Sequence, residues 1–587
     1  MNKQPKQWNK NQKQKDWRTD VFRYSVFGFA FLIVFRLFML QVIDHSFYQS
    51  LATGQHEIFQ ELVPARGEVL IHDLKDRQVL PVATNQFLAF VYADPRQIIN
   101  PEETALKLIE IFEMTEAEGV NLTEKLSKQD DPYEPIRRKV SDDDLKKITD
   151  LDLPGIHFVR DKVRLYPEPE LGGHVVGFVG ANKEGVLSGK YGVEGFFDES
   201  LAGQPGFLRS EKDITGRLIS IGNRSIEPAQ DGVDIVLTID RSIQHAACSA
   251  LKRAMTEHQA DRGSVIIIEP HTGQILALCG VPDFDPNNYQ QASDLNIFNN
   301  PAIFLAYEPG SVFKPITIAA ALDSGAVTPQ TIYHDTGVVA IDEYEIKNSD
   351  EKANGYQTMT QALEKSLNTG MIFAMRETGQ DVFTEYVKNF GFGQATEIQL
   401  DTEVAGNISS LDLGPEIYAA TASFGQGITV TPLQIVSAYG AIANGGILKK
   451  PYIIDEIRYP SGEVVKTEPK DHRRVIETKT ASLLGAMLVS VIEHGHGTQA
   501  AVEGYYIGGK TGTAQVAKKD GLGYDEEVTI GSFAGFGPVE DPKFAMIVRI
   551  DNPKEVKWAE ATAAPVFGEI AQFLLQYFEV PPNREIE

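Results

Sequence analysis

A chain of 587 residues is longer than one hydrophobic core usually supports, so two or three folded units are expected. Its 55 Lys and Arg against 81 Asp and Glu give a formal charge of −26; the first 23 residues hold seven basic and two acidic side chains, so the remainder is near −31. Such a polyanion is excluded as a nucleic-acid binder, because phosphate contact needs a basic face. Only two cysteines are present, which excludes a disulfide framework; Cys248 and Cys279 lie in apolar runs and read as buried free thiols.

Residues 24–43 form an apolar run broken only by Arg36. Twenty residues at about 1.5 Å each span about 30 Å, the hydrocarbon thickness of a bilayer. Arg36 lies near the outer end, where its stem can carry the guanidinium to the headgroups. No small-x-small cleavage pattern follows, only Asp44-His-Ser-Phe-Tyr48, so the run reads as an uncleaved anchor. Lys3, Lys6, Lys10, Lys13, Lys15, Arg18 and Arg23 keep residues 1–23 cytoplasmic by the positive-inside rule and place everything after 43 outside.

From 62 to 224 short β-like runs alternate with polar helices, with no internal repeat. Arg66-Gly67 opens the first run; a helix is predicted over 102–112 with Leu106, Leu108, Ile109 and Ile111 as its apolar face; Ser141-Asp-Asp-Asp144 predicts a capped helix start. Arg164-Leu-Tyr-Pro167, Gly173-His-Val-Val-Gly-Phe-Val-Gly180, Gly192-Val-Glu-Gly195 and Asp213-Ile-Thr-Gly216 follow, and their glycines predict tight turns in an extended β-rich module. A boundary is predicted near 227–232. Beyond it come a strand over 234–240, a helix over 241–255, and a hairpin from 264–269 and 274–278 around Pro270-His-Thr-Gly273. A mainly helical stretch leads to strands over 510–516, 531–537 and 543–550 and a helix over 564–577. Strands at both ends with helices between predict an α+β domain whose antiparallel sheet is covered by helices.

Three short stretches carry the chemistry: Ser311-Val-Phe-Lys314, Ser366-Leu-Asn368 and Lys510-Thr-Gly-Thr513. Ser-x-x-Lys alone identifies nothing, since about two occurrences are expected by chance in a chain this long; Ser249-Ala-Leu-Lys252 and Ser349-Asp-Glu-Lys352 also fit. Context separates them. Glu308-Pro-Gly310 is a turn signal and 312–324 reads as an apolar helix closed by Gly325, so Ser311 begins a helix with Lys314 one turn on, on the same face. Pro315 is tolerated there because first-turn N–H groups have no intrahelical acceptor. A serine hydroxyl needs a base within hydrogen-bond reach, and a lysine kept neutral by burial and a helix N-terminus can be that base. Ser366 and Asn368 stand where one helix ends and another starts, a place where such residues also serve as caps. Lys510-Thr-Gly-Thr513 follows Gly508-Gly509 on a strand-like run, and glycines there mark a bulge or close backbone approach. His494 and His496 lack a carboxylate or thiolate at zinc-like spacing, so no metal is expected; the charged residues of 551–560 read as solvated surface.

Taken together, the three stretches look like the catalytic set of penicillin-recognising serine acyl-transfer enzymes. Over essentially its full length the chain resembles a monofunctional class B penicillin-binding protein: short tail (1–23), single transmembrane anchor (24–43), β-rich pedestal of the dimerisation type (44–229) with Arg66-Gly67, Arg164-x-Tyr-Pro167 and Gly-x-Glu-Gly195 signatures, and transpeptidase domain (230–587). Two positions depart from related patterns: Asp73-Leu-Lys-Asp76 stands where Asp-Arg-Asn-Gly is usual, and Leu367 where class A β-lactamases carry Asp. The resemblance implies a peptidoglycan D,D-transpeptidase without cofactor, with Ser311 as nucleophile, Lys314 as base and Ser366 as proton relay. Asn368 would bind the substrate backbone, and Lys510, Thr511, Gly512 and Thr513 would take the substrate along the strand edge and hold its terminal carboxylate. The N–H groups of Ser311 and Thr513 would form the oxyanion hole. Implied partners are stem peptides, β-lactams and a membrane-embedded glycan polymerase of the shape, elongation, division and sporulation class. The closing stretch 564–582 favours a division role over elongation; the rival readings are a β-lactamase or β-lactam sensor, which would not need the pedestal, and a non-catalytic scaffold of a division complex, in which the motifs persist as architecture.

Overall fold

The computed structural model describes residues 17–43, 57–181, 186–211, 224–518 and 523–584. Lys3 to Lys15, Asp44-His-Ser-Phe-Tyr48 and Asp213-Ile-Thr-Gly216 lie outside the described residues. Two compact units result: Met1–Pro64 with Gln204–Gln230, and Ala65–Gly203 with Asp231–Glu587.

In the first unit a helix spans Trp17–Phe38 and continues as a wider turn over Met39–Ile43. Its stretch Val21–Val42, with mean hydropathy 2.1, is long and apolar enough to cross a membrane. Its other described strands form a three-stranded antiparallel sheet with Gly206–Glu211 between Glu57–Leu62 and Arg224–Glu227.

The second unit begins with a seven-stranded sheet. Asp234–Asp240, on the C-terminal side of the predicted boundary, pairs in parallel with Val69–Asp73 from the N-terminal side, so both segments share one sheet. The long strand Gln78–Ala93 carries a small core of Ala89, Val91, Leu108, Phe112, Leu122 and Leu145. The predicted helix spans Pro101–Phe112, but its inner face is Ala105, Leu108 and Phe112; Leu106 is 66% exposed, because the helical period carries it away from that stripe. Ser141 caps Asp142–Asp150 as predicted, accepting from the Asp144 N–H at 3.1 Å.

Three sequence signatures meet at one buried carboxylate. Glu194 of the Gly192–Gly195 motif is fully buried between Arg66, at 2.6 Å, and Arg164, also at 2.6 Å, and Arg66 reaches Asp198 at 2.8 Å. Tyr166 of the Arg-x-Tyr-Pro motif lies beside Glu194 and exchanges backbone hydrogen bonds with the Asn287 amide, its N–H donating to Oδ1 and its carbonyl accepting from Nδ2. A charge removed from water is stable only when paired, so these positions hold one another in place although about 130 residues separate Arg66 from Glu194.

The C-terminal architecture runs from helix α1 (Arg241–Glu257) through strands β1 (Arg262–Ile268) and β2 (Ile275–Val281) to helix α2 (Lys314–Asp323). Then come the hairpin β3 (Val338–Ile341) and β4 (Tyr344–Lys347), and helices α3 (Asn368–Thr378), α4 (Pro432–Ala443) and α5 (Thr478–His494). Strands β5 (Gly508–Ala517), β6 (Tyr524–Gly537) and β7 (Phe544–Asp551) and helix α6 (Ala563–Tyr577) close it. The sheet is antiparallel throughout, ordered β2-β1-β7-β6-β5. Alternation divides its side chains: Val265, Ile267, Phe533 and Val548 pack with Leu251 of α1 and Phe567 of α6, while Ile266, Ala534 and Ile547 pack with α4 and α5. This is the helix-covered antiparallel sheet expected from the sequence.

The cysteine reading is corrected: Cys248 on α1 and Cys279 on β2 form a disulfide, with Cα atoms 5.4 Å apart. Thirty-one residues separate them in sequence, and only the packing of α1 onto β2 brings the two apolar runs together. A disulfide fits an oxidising compartment.

Candidate active site

Ser311 sits in a short 3-10 turn, Gly310–Phe313, and Lys314 is the first residue of α2, so the nucleophile candidate precedes the α-helix by one turn rather than opening it. The turn is fixed by close backbone approach. Gly310 has φ +56° and its N–H donates to the Gly425 carbonyl at 3.0 Å; a Cβ on Gly425 would lie 2.2 Å from the Gly310 oxygen. From the other side the Tyr439 hydroxyl of α4 donates to the Val312 carbonyl at 2.9 Å.

Ser366 stands at the predicted junction, after the short helix Met359–Glu364 and before α3, in the left-handed conformation at φ +56°. A non-glycine residue held there carries local strain, and the neighbouring backbone bond from Leu367 N–H to the Ala362 carbonyl, 2.8 Å, fixes it. The hydroxyl is thereby aimed at Ser311: Ser366 Oγ donates to Ser311 Oγ at 2.9 Å, and Lys314 Nζ donates to Ser366 Oγ at 3.1 Å and to the Ser366 carbonyl at 2.5 Å. The lysine therefore meets Ser311 through Ser366. Lys314 is fully buried, and burial, aided by the charge of nearby Lys510, pushes its amine well below the usual lysine range.

Strand β5 is the edge of the sheet, with β6 on one side and its other backbone edge unpaired by any described strand. Gly512 lets it approach the Ser311 turn: a Cβ there would lie 2.9 Å from Val312 Cγ1 and from Ser532 Oγ, and 3.0 Å from the Pro309 carbonyl. Lys510 lies fully buried beneath the strand, donating to the Thr511 hydroxyl at 3.3 Å, and burial brings its pKa down to about 7 against the opposing pull of Glu560. Thr511 is buried beside it, and Thr513 Oγ1 accepts from the Ala559 N–H at 3.1 Å. Asn368 opens α3 and donates through Nδ2 to the Lys347 carbonyl of β4 at 2.8 Å.

These elements enclose a cleft of about 500 Å³ lined by Ser311, Asn368 and Thr513; Lys314 and Lys510 are fully buried. The sequence-predicted residues thus converge from three distant segments. The other two Ser-x-x-Lys occurrences lack the buried lysine: Ser249 lies within α1, and Ser349, in the exposed turn after β4, lines the same cleft but its Lys352 is exposed. Residues 551–560 are corrected from plain solvated surface. Lys557 and Trp558 line the cleft, Ala559 holds the Thr513 hydroxyl, and Glu560 acts on Lys510. Glu345 and Lys347 of β4 also line it and were missed. The one sequence signal for the C-terminal set is the aromatic Trp558 amid charged residues; the β4 pair has none. Among the described residues no group of three or more His, Cys, Asp or Glu could hold a metal ion.

A serine joined through a second hydroxyl to a neutralised lysine, under an open strand edge with a buried cation, is the constellation of a serine acyl-transfer enzyme. The family described as penicillin binding protein transpeptidase domain matches residues 263–572, and the penicillin-binding protein dimerisation domain matches 61–237; the chain belongs to the penicillin-binding protein family. It is 35% identical over 562 residues to Stage V sporulation protein D of Bacillus subtilis, covering 94% of this chain and 85% of that protein. It is 32% identical over 450 residues to the peptidoglycan D,D-transpeptidase FtsI of Escherichia coli, covering 76% and 73%. Among solved structures it is similar to penicillin-binding protein 3 of Mycobacterium tuberculosis complexed with aztreonam, with a TM-score of 0.68, 25% identity, and 90% and 99% of the two chains covered.

Proposed function

We propose that this protein is a peptidoglycan D,D-transpeptidase that cross-links stem peptides through an acyl-enzyme on Ser311 and is trapped by β-lactams. The observation that carries the reading is the Ser311–Ser366–Lys314 chain of contacts beneath the edge of β5. A donor stem lies along β5, with its terminal carboxylate drawn by Lys510 and the Thr511 and Thr513 hydroxyls. Lys314, neutral because it is buried, accepts the Ser311 proton through Ser366 Oγ as Ser311 Oγ attacks the penultimate D-Ala carbonyl. The N–H groups of Ser311 and Thr513 stabilise the resulting oxyanion. Ser366 returns the proton to the leaving D-Ala amine, and Asn368 holds the donor backbone.

The helix over Val21–Val42 anchors the chain, with residues 1–23 inside and the catalytic part outside. Residues 44–229 serve as pedestal and 230–587 as transpeptidase domain, and the pedestal meets a membrane-embedded glycan polymerase. Cross-linking during division is the favoured role, supported by the likeness to FtsI; the likeness to Stage V sporulation protein D carries a sporulation role as the second reading. Labelling with a fluorescent penicillin tests the chemistry: wild type becomes covalently labelled, whereas Ser311→Ala does not and Lys314→Ala labels at least about a hundredfold more slowly. Label retained on Ser311→Ala would sink the proposal.

A further inference from the structure

Among the described residues three charged side chains line the cleft, Glu345, Lys347 and Lys557, and the acyl-donor half of this reaction uses none of them. Glu345 and Lys347 both line it, and they are two residues apart on β4, so their side chains leave the same face of that strand. Ile346 between them is partly buried against the main core and also reaches the cleft, while Glu345 and Lys347 are exposed. Asn368, itself on the cleft wall, anchors this strand through the Lys347 carbonyl. Neither side chain forms an ion pair with another described residue, nor with the other. Among the described residues Glu345 is the sole carboxylate lining the cleft. The donor's carboxylate has its own cation in Lys510, fully buried on β5.

We propose that Glu345 and Lys347 select the acceptor: Glu345 takes the incoming ammonium and Lys347 a carboxylate on the same carbon, so the preferred acyl acceptor is a zwitterionic amino-acid end rather than a simple alkyl amine. This rests on the acyl-transfer reading above. The two side chains are long enough to converge on charges a few ångströms apart, although their backbone positions lie about 7 Å apart. The acceptor sheds one proton to solvent as it leaves Glu345. Its neutral nitrogen then bonds to the acyl carbon, the bond from that carbon to Ser311 Oγ breaks, and a proton of the new amide nitrogen passes through Ser366 to Ser311 Oγ. Both residues are positioning and specificity groups.

The full-length protein in detergent, given a D-Ala-terminated thioester as acyl donor, reports the ratio of aminolysis to hydrolysis with D-alanine, D-alanine amide or ethylamine as acceptor. The ratio is taken on acyl-enzyme already formed, so changes in the donor half do not enter it. Wild type should favour D-alanine over the amide and ethylamine by about tenfold or more, as expected for one charge-assisted contact. Glu345→Gln should lower aminolysis by all three amines, Glu345→Asp should restore part of it, and Lys347→Met should erase the preference for D-alanine over its amide. An unchanged ratio in Glu345→Gln, or an intact preference in Lys347→Met, overturns the proposal. Absence of any acyl-enzyme in the wild type would instead overturn the underlying reading, and this inference with it.

Discussion

Lys510 gives the sharpest prediction, because one buried amine sets both a rate profile and a stability profile. With a pKa of about 7, it is about nine-tenths charged at pH 6 and about one-tenth charged at pH 8. If the charged form receives the donor carboxylate, the second-order constant for acylation by benzylpenicillin should fall roughly tenfold between those pH values. That constant reports the free enzyme, so binding of the carboxylate does not move the midpoint. Below the maximum the profile should turn down as Lys314, the base, becomes protonated. The two amines act on each other, so the apparent values belong to the pair. Lys510→Arg, which stays charged across the range, should lose the alkaline limb while keeping the acid one. Stability must move the opposite way. The folded state binds fewer protons than the unfolded chain between about pH 7 and 10.5, so the Lys510 contribution rises with pH across that window, and the penalty below it is of the order of 5 kcal/mol. Lys510→Met should therefore be more stable than wild type in urea at pH 6.5 and nearly equal near pH 10. An alkaline limb that survives in Lys510→Arg, or a Lys510→Met protein less stable at pH 6.5, would refute the reasoning.

Four further outcomes follow from the same geometry. Ser366→Ala removes the hydroxyl joining Lys314 to Ser311 and should slow penicillin acylation about 10²- to 10⁴-fold with the fold intact; stopped-flow acylation with circular dichroism checks this, and a change under threefold would deny the relay. Gly512→Ala pushes β5 away from the Ser311 turn and should lower both the acylation rate and stability, the latter by about 1–3 kcal/mol in urea. Glu194→Gln leaves Arg66 and Arg164 without their shared buried carboxylate and should cost about 3–5 kcal/mol in the same measurement. Replacing Cys248 and Cys279 together by Ala reopens a 31-residue separation and should cost roughly 3–4 kcal/mol, with reducing agent shifting wild type but not the variant.

Some of this was legible one residue at a time. The anchor, the Ser141 cap, the hairpin of β1 and β2, the three closing strands and the Ser366–Asn368 helix junction follow from period, turn residues and local hydrogen-bonding chemistry, all of which act over a few positions. What escaped depends on contacts between distant segments. Leu106 failed because a helix's inner face is chosen by what it packs on. Cys248 and Cys279 became a bond because α1 lies across β2. Residues 551–560 looked like solvated charge until the return of the chain from β7 laid Lys557, Trp558 and Ala559 beside Thr513. The Arg66, Arg164 and Glu194 signatures were visible as separate strings, but their shared ion pair was not.

By itself, then, the sequence determined the inventory of reactive groups and where helices and strands begin, because those depend on local chemistry. Helix onset already singled out Ser311 among three Ser-x-x-Lys strings; tertiary structure decided what surrounds it. Only the packing of α2, α3 and β5 buries Lys314 and Lys510 far enough from water to change their protonation, and only the left-handed turn at Ser366 brings its hydroxyl between Lys314 and Ser311. Reactivity here is set by desolvation and by orientation across the chain, and neither quantity exists until the chain has folded.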